Sequence, residues 1–268
     1  MLDQIEILAE AYRQARAALL FLDSNLWIGR PRLPEFTTGF DINTLRERMV
    51  RYGIGGGVVS HFAAIPYGAA WANEQTLKAV AGTDLWAAIT LMPEMFHSEP
   101  DGRAYVNSAI ARGARLARVF PVSHNYTLRP WCSGALLETL ADSRLPLAVW
   151  HTEVSWEEIR NICETHPALT VIVEGTPKKI LYHSRLYYAL LERCPNLRLE
   201  LHNLVNYLGV EDIVSRFGAG RLIFGSYLPV FDPNAALMQV THARISDEDK
   251  ARIAHRNLAE LIDGVQTP

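Results

Sequence analysis

The stretch Arg221-Leu222-Ile223-Phe224-Gly225-Ser226-Tyr227-Leu228-Pro229 runs from an apolar strand into a tight Gly-Ser turn and stops at a proline. Working back from a strand at Arg221–Ser226, seven more short apolar runs recur, at Leu19–Asp23, Gly57–Ser60, Ala87–Leu91, Leu116–Phe120, Leu147–His151, Thr170–Glu174 and Leu197–His202. Segments of helical period separate them, the mark of βα units feeding a parallel sheet. Eight such units predict an α/β, TIM-type (β/α)8 barrel, for which about 250 residues is usual. An open doubly wound sheet is the alternative, but no Gly-x-Gly-x-x-Gly turn follows the first strand. Gly55-Gly56-Gly57 comes before the second strand and reads as a helix-to-strand turn rather than a phosphate loop.

The helices carry ordinary end signals. Met1–Ala18 has apolar residues at Ile5, Leu8, Ala9, Tyr12 and Ala15, the spacing of an amphipathic outer helix leading into the first strand. Asp41 or Asn43 can cap the helix through Met49, and Gly53 can close it in the left-handed conformation. Ser155 before Trp156-Glu157-Glu158, and Ser246 before Asp247-Glu248-Asp249, are further N-caps with acids in the first turn. No repeat or linker divides the chain, so residues 1–268 read as one domain.

With 49% hydrophobic and 21% charged residues among 268, the composition is that of a globular protein with a large core. A net charge of −3 without a basic cluster gives no reason to expect a nucleic-acid partner. The longest early apolar run, Ala17 to Leu22, is too short to span a bilayer, so no membrane partner is expected and the expected location is cytoplasmic. Cys132, Cys163 and Cys194 are odd in number and contain no Cys-x-x-Cys pair, which argues against a disulfide framework or zinc ribbon.

In a parallel barrel the C-terminal strand ends converge on one mouth, where side chains from different strands meet. Polar residues there are Asp23, Asn25, Ser60, His61, Arg118, His151, Glu174, His202, Asn203 and Tyr227. Several of these stretches resemble the amidohydrolase superfamily in its amidohydrolase-related (amidohydrolase 2) branch. Phe21-Leu22-Asp23-Ser24-Asn25-Leu26-Trp27-Ile28-Gly29 is similar to that family's first strand, Asp-x-His-x-His followed by Gly. Leu147-Ala148-Val149-Trp150-His151 is similar to its fifth strand, Val173-Glu174-Gly175 to its sixth, and Phe224-Gly225-Ser226-Tyr227-Leu228-Pro229 to its closing Phe-Gly-Ser-Asp-x-Pro.

The resemblance implies a metal site at five positions, of which His151 alone keeps the family's residue. Asn25 and Trp27 stand in place of two histidines, Glu174 in place of a third, and Tyr227 in place of the aspartate. An indole N–H is a donor only, and a phenol titrates near about 10, so the usual metal centre is not expected here. Asp23 is expected to anchor the first strand.

His151, Glu174 and His202 end three successive strands and leave three arrangements open. They can form a single divalent-ion site with water as fourth ligand. They can form an acid/base set in which Glu174 orients a histidine. They can also form a hydrogen-bonded polar cluster with no chemistry. Tyr227 is read as a catalytic donor or an aromatic plug. Arg118 is read as a fork that clamps a substrate carboxylate, or as the partner of a nearby acid such as Glu94 or Glu174. Asn25, Asn203 and His61 are candidate substrate contacts. His183 is assigned to surface or packing, with His97, His166, His242 and His255. Tyr182, Tyr187 and Tyr188 pack or form a subunit contact, which leaves a homo-oligomer open.

Two functions follow. One is a divergent hydrolase acting on a small polar or carboxylate-bearing molecule, or, in the same mouth, a decarboxylase-type lyase. The other is a barrel without catalysis that binds a ligand or a protein. The polar ring at the strand ends favours the enzyme.

Overall fold

Strands β1 (Phe21–Ile28), β2 (Ile54–His61), β3 (Trp86–Thr90), β4 (Ala114–Val119), β5 (Leu147–Trp150), β6 (Val171–Glu174), β7 (Leu197–Glu200) and β8 (Leu222–Ile223) form one sheet in sequence order. Every paired neighbour is parallel. The computed structural model describes residues 2–97, 101–176 and 178–267. Helices α1 (Leu2–Ala17), α2 (Ile42–Tyr52), α3 (Ala69–Val80), α4 (Asp101–Ala111), α5 (Pro130–Asp142), α6 (Trp156–Thr165), α7 (Ser184–Arg193), α8 (Gly209–Phe217) and α9 (Asn234–Thr241) alternate with the strands, and α10 (Asp247–Ala251) and α11 (Asn257–Asp263) follow. The chain after β8 closes the barrel: Phe224 O accepts from Ser24 N at 3.1 Å and Leu228 O from Trp27 N at 2.9 Å. This is the (β/α)8 barrel the apolar runs predict. No described helix is long and apolar enough to cross a membrane.

The local signals act as read. Asp41 accepts from Thr44 N, Gly53 takes φ 69° at the end of α2, and Ser155 with Glu158 forms a reciprocal capping box. Helix α1 matches the predicted outer helix, Met1 lying outside the described residues. Its apolar stripe docks only near its C-terminal end, where the Tyr12 hydroxyl donates to Asn234 on α9 at 2.6 Å, while Ile5 and Leu8 stay exposed.

Three strand readings are corrected. Strand β1 runs on to Ile28 because its polar residues Asp23, Ser24 and Asn25 are wholly buried and bonded, so polarity does not mark its end. Gly55-Gly56-Gly57 lies inside β2 rather than before it. The cause is close approach: a Cβ on Gly57 would stand 2.3 Å from the Asp23 carbonyl oxygen on β1. Strand β8 is shorter than Arg221–Ser226, because residues beyond Ile223 leave the ladder to bond β1 and the turn.

Asp23 ties the first strand to the last. Its Oδ2 accepts from the Ser226 hydroxyl at 2.5 Å and its Oδ1 from Ser226 N at 3.1 Å and Asn25 N at 2.8 Å. Complete burial pushes its carboxyl from 3.8 up to about 7, against the pull of those hydrogen bonds. Between these values the folded chain holds a proton that the unfolded chain has released. Stability at this site is therefore full below pH 3.8 and declines as pH rises to about 7. Asp23→Asn, which keeps the bonding shape without a charge, should remove that decline, on the order of 4 kcal/mol across the window. Urea unfolding of both proteins from pH 4 to 8 measures it, and equal slopes would refute the assignment.

Candidate active site at the barrel mouth

The barrel interior is layered. At the bottom, Leu22, Val58, Ala88, Leu116, Ala148, Ile172 and Ile223 pack on Leu258 and Ile262 from α11. Two residues further along five of these strands come Ser60, Thr90, Arg118, Trp150 and Glu174, which the strand period of two places on the same inner side. Arg118 Nη1 reaches Glu174 Oε2 at 2.5 Å, its Nε reaches the Ser60 hydroxyl at 2.6 Å, and its Nη2 reaches Ser24 O at 3.2 Å and Asn25 Oδ1 at 3.3 Å. Arg118 is 1% exposed and Glu174 0%. Burial pushes the Glu174 carboxyl upward, while the adjacent guanidinium acts in the opposite sense.

A second buried chain of bonds crosses from β6 to β7. Glu200 accepts from His202 through both the backbone N–H, at 2.8 Å, and Nδ1. With its Nδ1 proton directed at Glu200, His202 Nε2 accepts from the Thr176 hydroxyl at 2.9 Å and from Asn203 Nδ2 at 3.3 Å. Glu200 also explains Gly225, since a Cβ there would stand 2.3 Å from Glu200 Oε1.

His151 is held differently. Its Nδ1–H donates to the Glu174 carbonyl at 3.2 Å, which leaves Nε2 as a lone pair. That atom is buried and has no hydrogen-bond partner among the described residues. Desolvation lowers the imidazole pKa below its ordinary 6.5, with His183, His202 and Lys178 acting in the same direction. The ring centroid of His183 lies 5.2 Å away.

Above the ion pair lies an aromatic layer of Trp27, Phe62, Phe120, Trp150 and Tyr227. Trp27 stacks on Phe62 at 4.7 Å, Trp150 meets Phe120 edge-on at 5.0 Å, and the Arg118 guanidinium sits 5.0 Å from the Trp27 ring. Tyr227 enters this layer at φ 58°, a left-handed conformation costing roughly 1 kcal/mol or more. The Asp23–Ser226 turn before it holds that conformation, and burial raises its phenol pKa well above 10.0. Over the layer opens a cavity of 190 Å³ lined by Pro31, Arg32, Leu33, Phe62, Ile65, Pro66, Trp150 and Tyr227.

The expected site residues are thus divided among separate environments. Tyr227 lines the cavity. Arg118, Glu174 and Asn25 lie inside the barrel, where Arg118 pairs with Glu174 and Asn25 Oδ1 accepts from Trp27 Nε1 at 2.6 Å. His202 and Asn203 belong to the Glu200 array, and Asn203 Nδ2 also donates to Gly175 O at 2.7 Å. His61 Nδ1 accepts from Ala63 N at 3.0 Å and its ring packs edge-on to Trp71.

Arg118, His151, Glu174 and His202, expected in one pocket, are all buried, with Arg118 and His151 both bonded to Glu174, and none of the four lines the 190 Å³ cavity. The divalent-ion arrangement at His151, Glu174 and His202 is also corrected: no group of three His, Cys, Asp or Glu among the described residues is placed to hold a metal. Glu174 Oε2 pairs with Arg118 while its Oε1 is unpartnered among the described residues, and both His202 nitrogens are occupied. His183, assigned to surface or packing, packs beside His151.

Sequence reading missed Glu200, Thr176, Phe62, Trp150 and Arg32. Alternation alone places Glu200 on the inner side with His202, and Trp150 with Ala148. Nothing in the sequence brings Phe62 or Arg32 to the cavity, since both lie beyond strand ends.

No family model and no curated protein matches the chain. Solved structures do. An uncharacterised TIM-barrel protein from Bordetella bronchiseptica is 17% identical with a TM-score of 0.68, covering 92% of this chain and 99% of its own. Amidohydrolase 2 from Bifidobacterium longum subsp. infantis is 17% identical with a TM-score of 0.66, covering 91% and 99%. A 2,6-dihydroxybenzoate decarboxylase from Rhizobium is 15% identical with a TM-score of 0.65, covering 91% and 99%. These likenesses show the fold, a barrel that this chain shares with an amidohydrolase 2 and with a decarboxylase.

The metal that such a resemblance implies does not fit the donors present. At the corresponding positions Trp27 Nε1 is a donor bonded to Asn25, Tyr227 keeps its proton, and Asn25 leaves its amide nitrogen free. His151 Nε2 and Glu174 Oε1 are the two unpartnered acceptor atoms among those positions, where about four ligands are needed.

The Arg118–Glu174 pair makes a clear prediction. Removing one partner strands a buried charge, so Arg118→Met should cost about 3–5 kcal/mol in chemical unfolding. Adding Glu174→Leu should recover most of that loss. A double variant as unstable as the sum of the singles would contradict the pairing.

Proposed function

We propose that the chain is an amidohydrolase-like hydrolase that acts on a small molecule at the barrel mouth without the family's metal centre. The observation that carries this is His151. Its Nδ1 bonds to the Glu174 carbonyl, and its Nε2 is buried and without a hydrogen-bond partner among the described residues. Such a nitrogen is suited to take a proton from water as the water oxygen attacks a carbonyl carbon. The proton then passes to the leaving alcohol or amine as the tetrahedral intermediate collapses. The Tyr227 hydroxyl, kept protonated by burial, is suited to donate to the oxyanion.

A carboxylate clamp at Arg118 has no support, because that guanidinium already holds Glu174. The same internal pairing, with the Glu200–His202–Thr176 array, favours a second reading: a barrel that binds a ligand and does not turn it over. A panel of p-nitrophenyl esters, anilides and lactones, assayed with a chelator present, separates the two. Hydrolysis should survive the chelator and fall roughly 10²- to 10⁴-fold in His151→Ala with the melting temperature little changed. Since desolvation lowers the His151 pKa, the acidic limb of the rate profile should lie below pH 6.5. Unchanged hydrolysis in His151→Ala would overturn the catalytic reading, and no hydrolysis of any panel member would leave the binding reading.

A further inference from the structure

The mouth cavity specifies more than a place for substrate. Resting on the hydrolase reading above, we propose that this chamber binds an uncharged aromatic ring bearing a carbonyl, so that the substrate class is a neutral aryl ester or amide rather than an acid. The size fits, because an apolar cavity of about 150 Å³ is enough to take benzene and this one is 190 Å³. The wall fits as well. Pro31, Leu33, Phe62 and Ile65 offer only carbon, and Phe62 and Trp150 offer ring surfaces against which an aromatic group gains beyond its buried area.

The polar groups of the wall decide the charge of the ligand. Trp150 and Tyr227 are the lining residues that carry a neutral donor, the Trp150 Nε1–H being buried without an acceptor among the described residues. Neutral donors of this kind suit a carbonyl and do not compensate the desolvation of a full carboxylate. Arg32 does not change this. Its exposed guanidinium lies over the Tyr67 ring at 5.4 Å, so an acid paired with it stays in water, where such pairs contribute little. The buried guanidinium, Arg118, is spent on Glu174 beneath Trp27.

Benzamide, methyl benzoate, benzoate and acetamide are the probes, and tryptophan fluorescence, reporting Trp150 and Trp27, is the readout. Benzamide and methyl benzoate should quench it saturably, benzoate should bind at least roughly tenfold more weakly, and acetamide should show no saturation. Ile65→Trp fills the chamber and should weaken benzamide at least roughly tenfold with the melting temperature held. Should that variant not fold, intermolecular nuclear Overhauser contacts from benzamide to Phe62 and Ile65 in the unaltered protein locate the probe. Benzoate binding as tightly as benzamide, contacts elsewhere on the surface, or no saturable binding of either neutral probe overturns the proposal. The hydrolase reading fails separately: probe binding with unchanged hydrolysis in His151→Ala sinks the catalytic role and keeps the chamber.

Discussion

A guanidinium and a carboxylate buried face to face in the middle of an eight-stranded barrel constrain everything above and below them. Arg118 and Glu174 have no access to water, so their bonds are made to the strands themselves, and Glu174 Oε1 is left without a partner among the described residues. Ser60 on β2 and the carbonyl of Ser24 and side chain of Asn25 on β1 complete the guanidinium's contacts. The pair therefore joins β1, β2, β4 and β6 through one group of atoms. Low surrounding polarity strengthens such bonds and makes an unmatched partner expensive, so the group tolerates change poorly at any one member.

The aromatic layer follows from this. Trp27 covers the guanidinium with its ring face and donates its indole N–H to Asn25, which in turn accepts from Arg118. With Phe62, Phe120, Trp150 and Tyr227, Trp27 seals the ion pair from solvent, and Phe62, Trp150 and Tyr227 of this layer line the mouth cavity. The polar interior and the apolar mouth are thus two consequences of one buried charge pair.

The turn after β8 supplies the other half of the mouth. Asp23 binds Ser226 through side chain and backbone, closing the barrel between its first and last strands. The next residue, Tyr227, is held in a left-handed conformation and directed into the aromatic layer, where its ring lies 5.3 Å from that of His202. Closure of the fold and construction of the mouth therefore share the same few atoms.

The sequence by itself determined the barrel. Eight apolar runs separated by helical segments, with Asp41, Gly53 and Ser155 at helix ends, specify strands and helices through local periodicity and capping, and parallel strands joined by helices leave few topologies. Polar residues at strand ends were also legible, as was Glu174 as a partner for Arg118. Tertiary structure alone decided which of those residues meet. Inward direction along β4 and β6 put Arg118 and Glu174 inside the barrel rather than at its rim. The path of loops beyond β1 and β2 brought Arg32, Leu33, Phe62 and Ile65 over the mouth, and no local rule encodes such a path. Which nitrogen of His151 carries its proton depends on a carbonyl of the neighbouring strand, a contact across 23 residues that exists only once the barrel has closed.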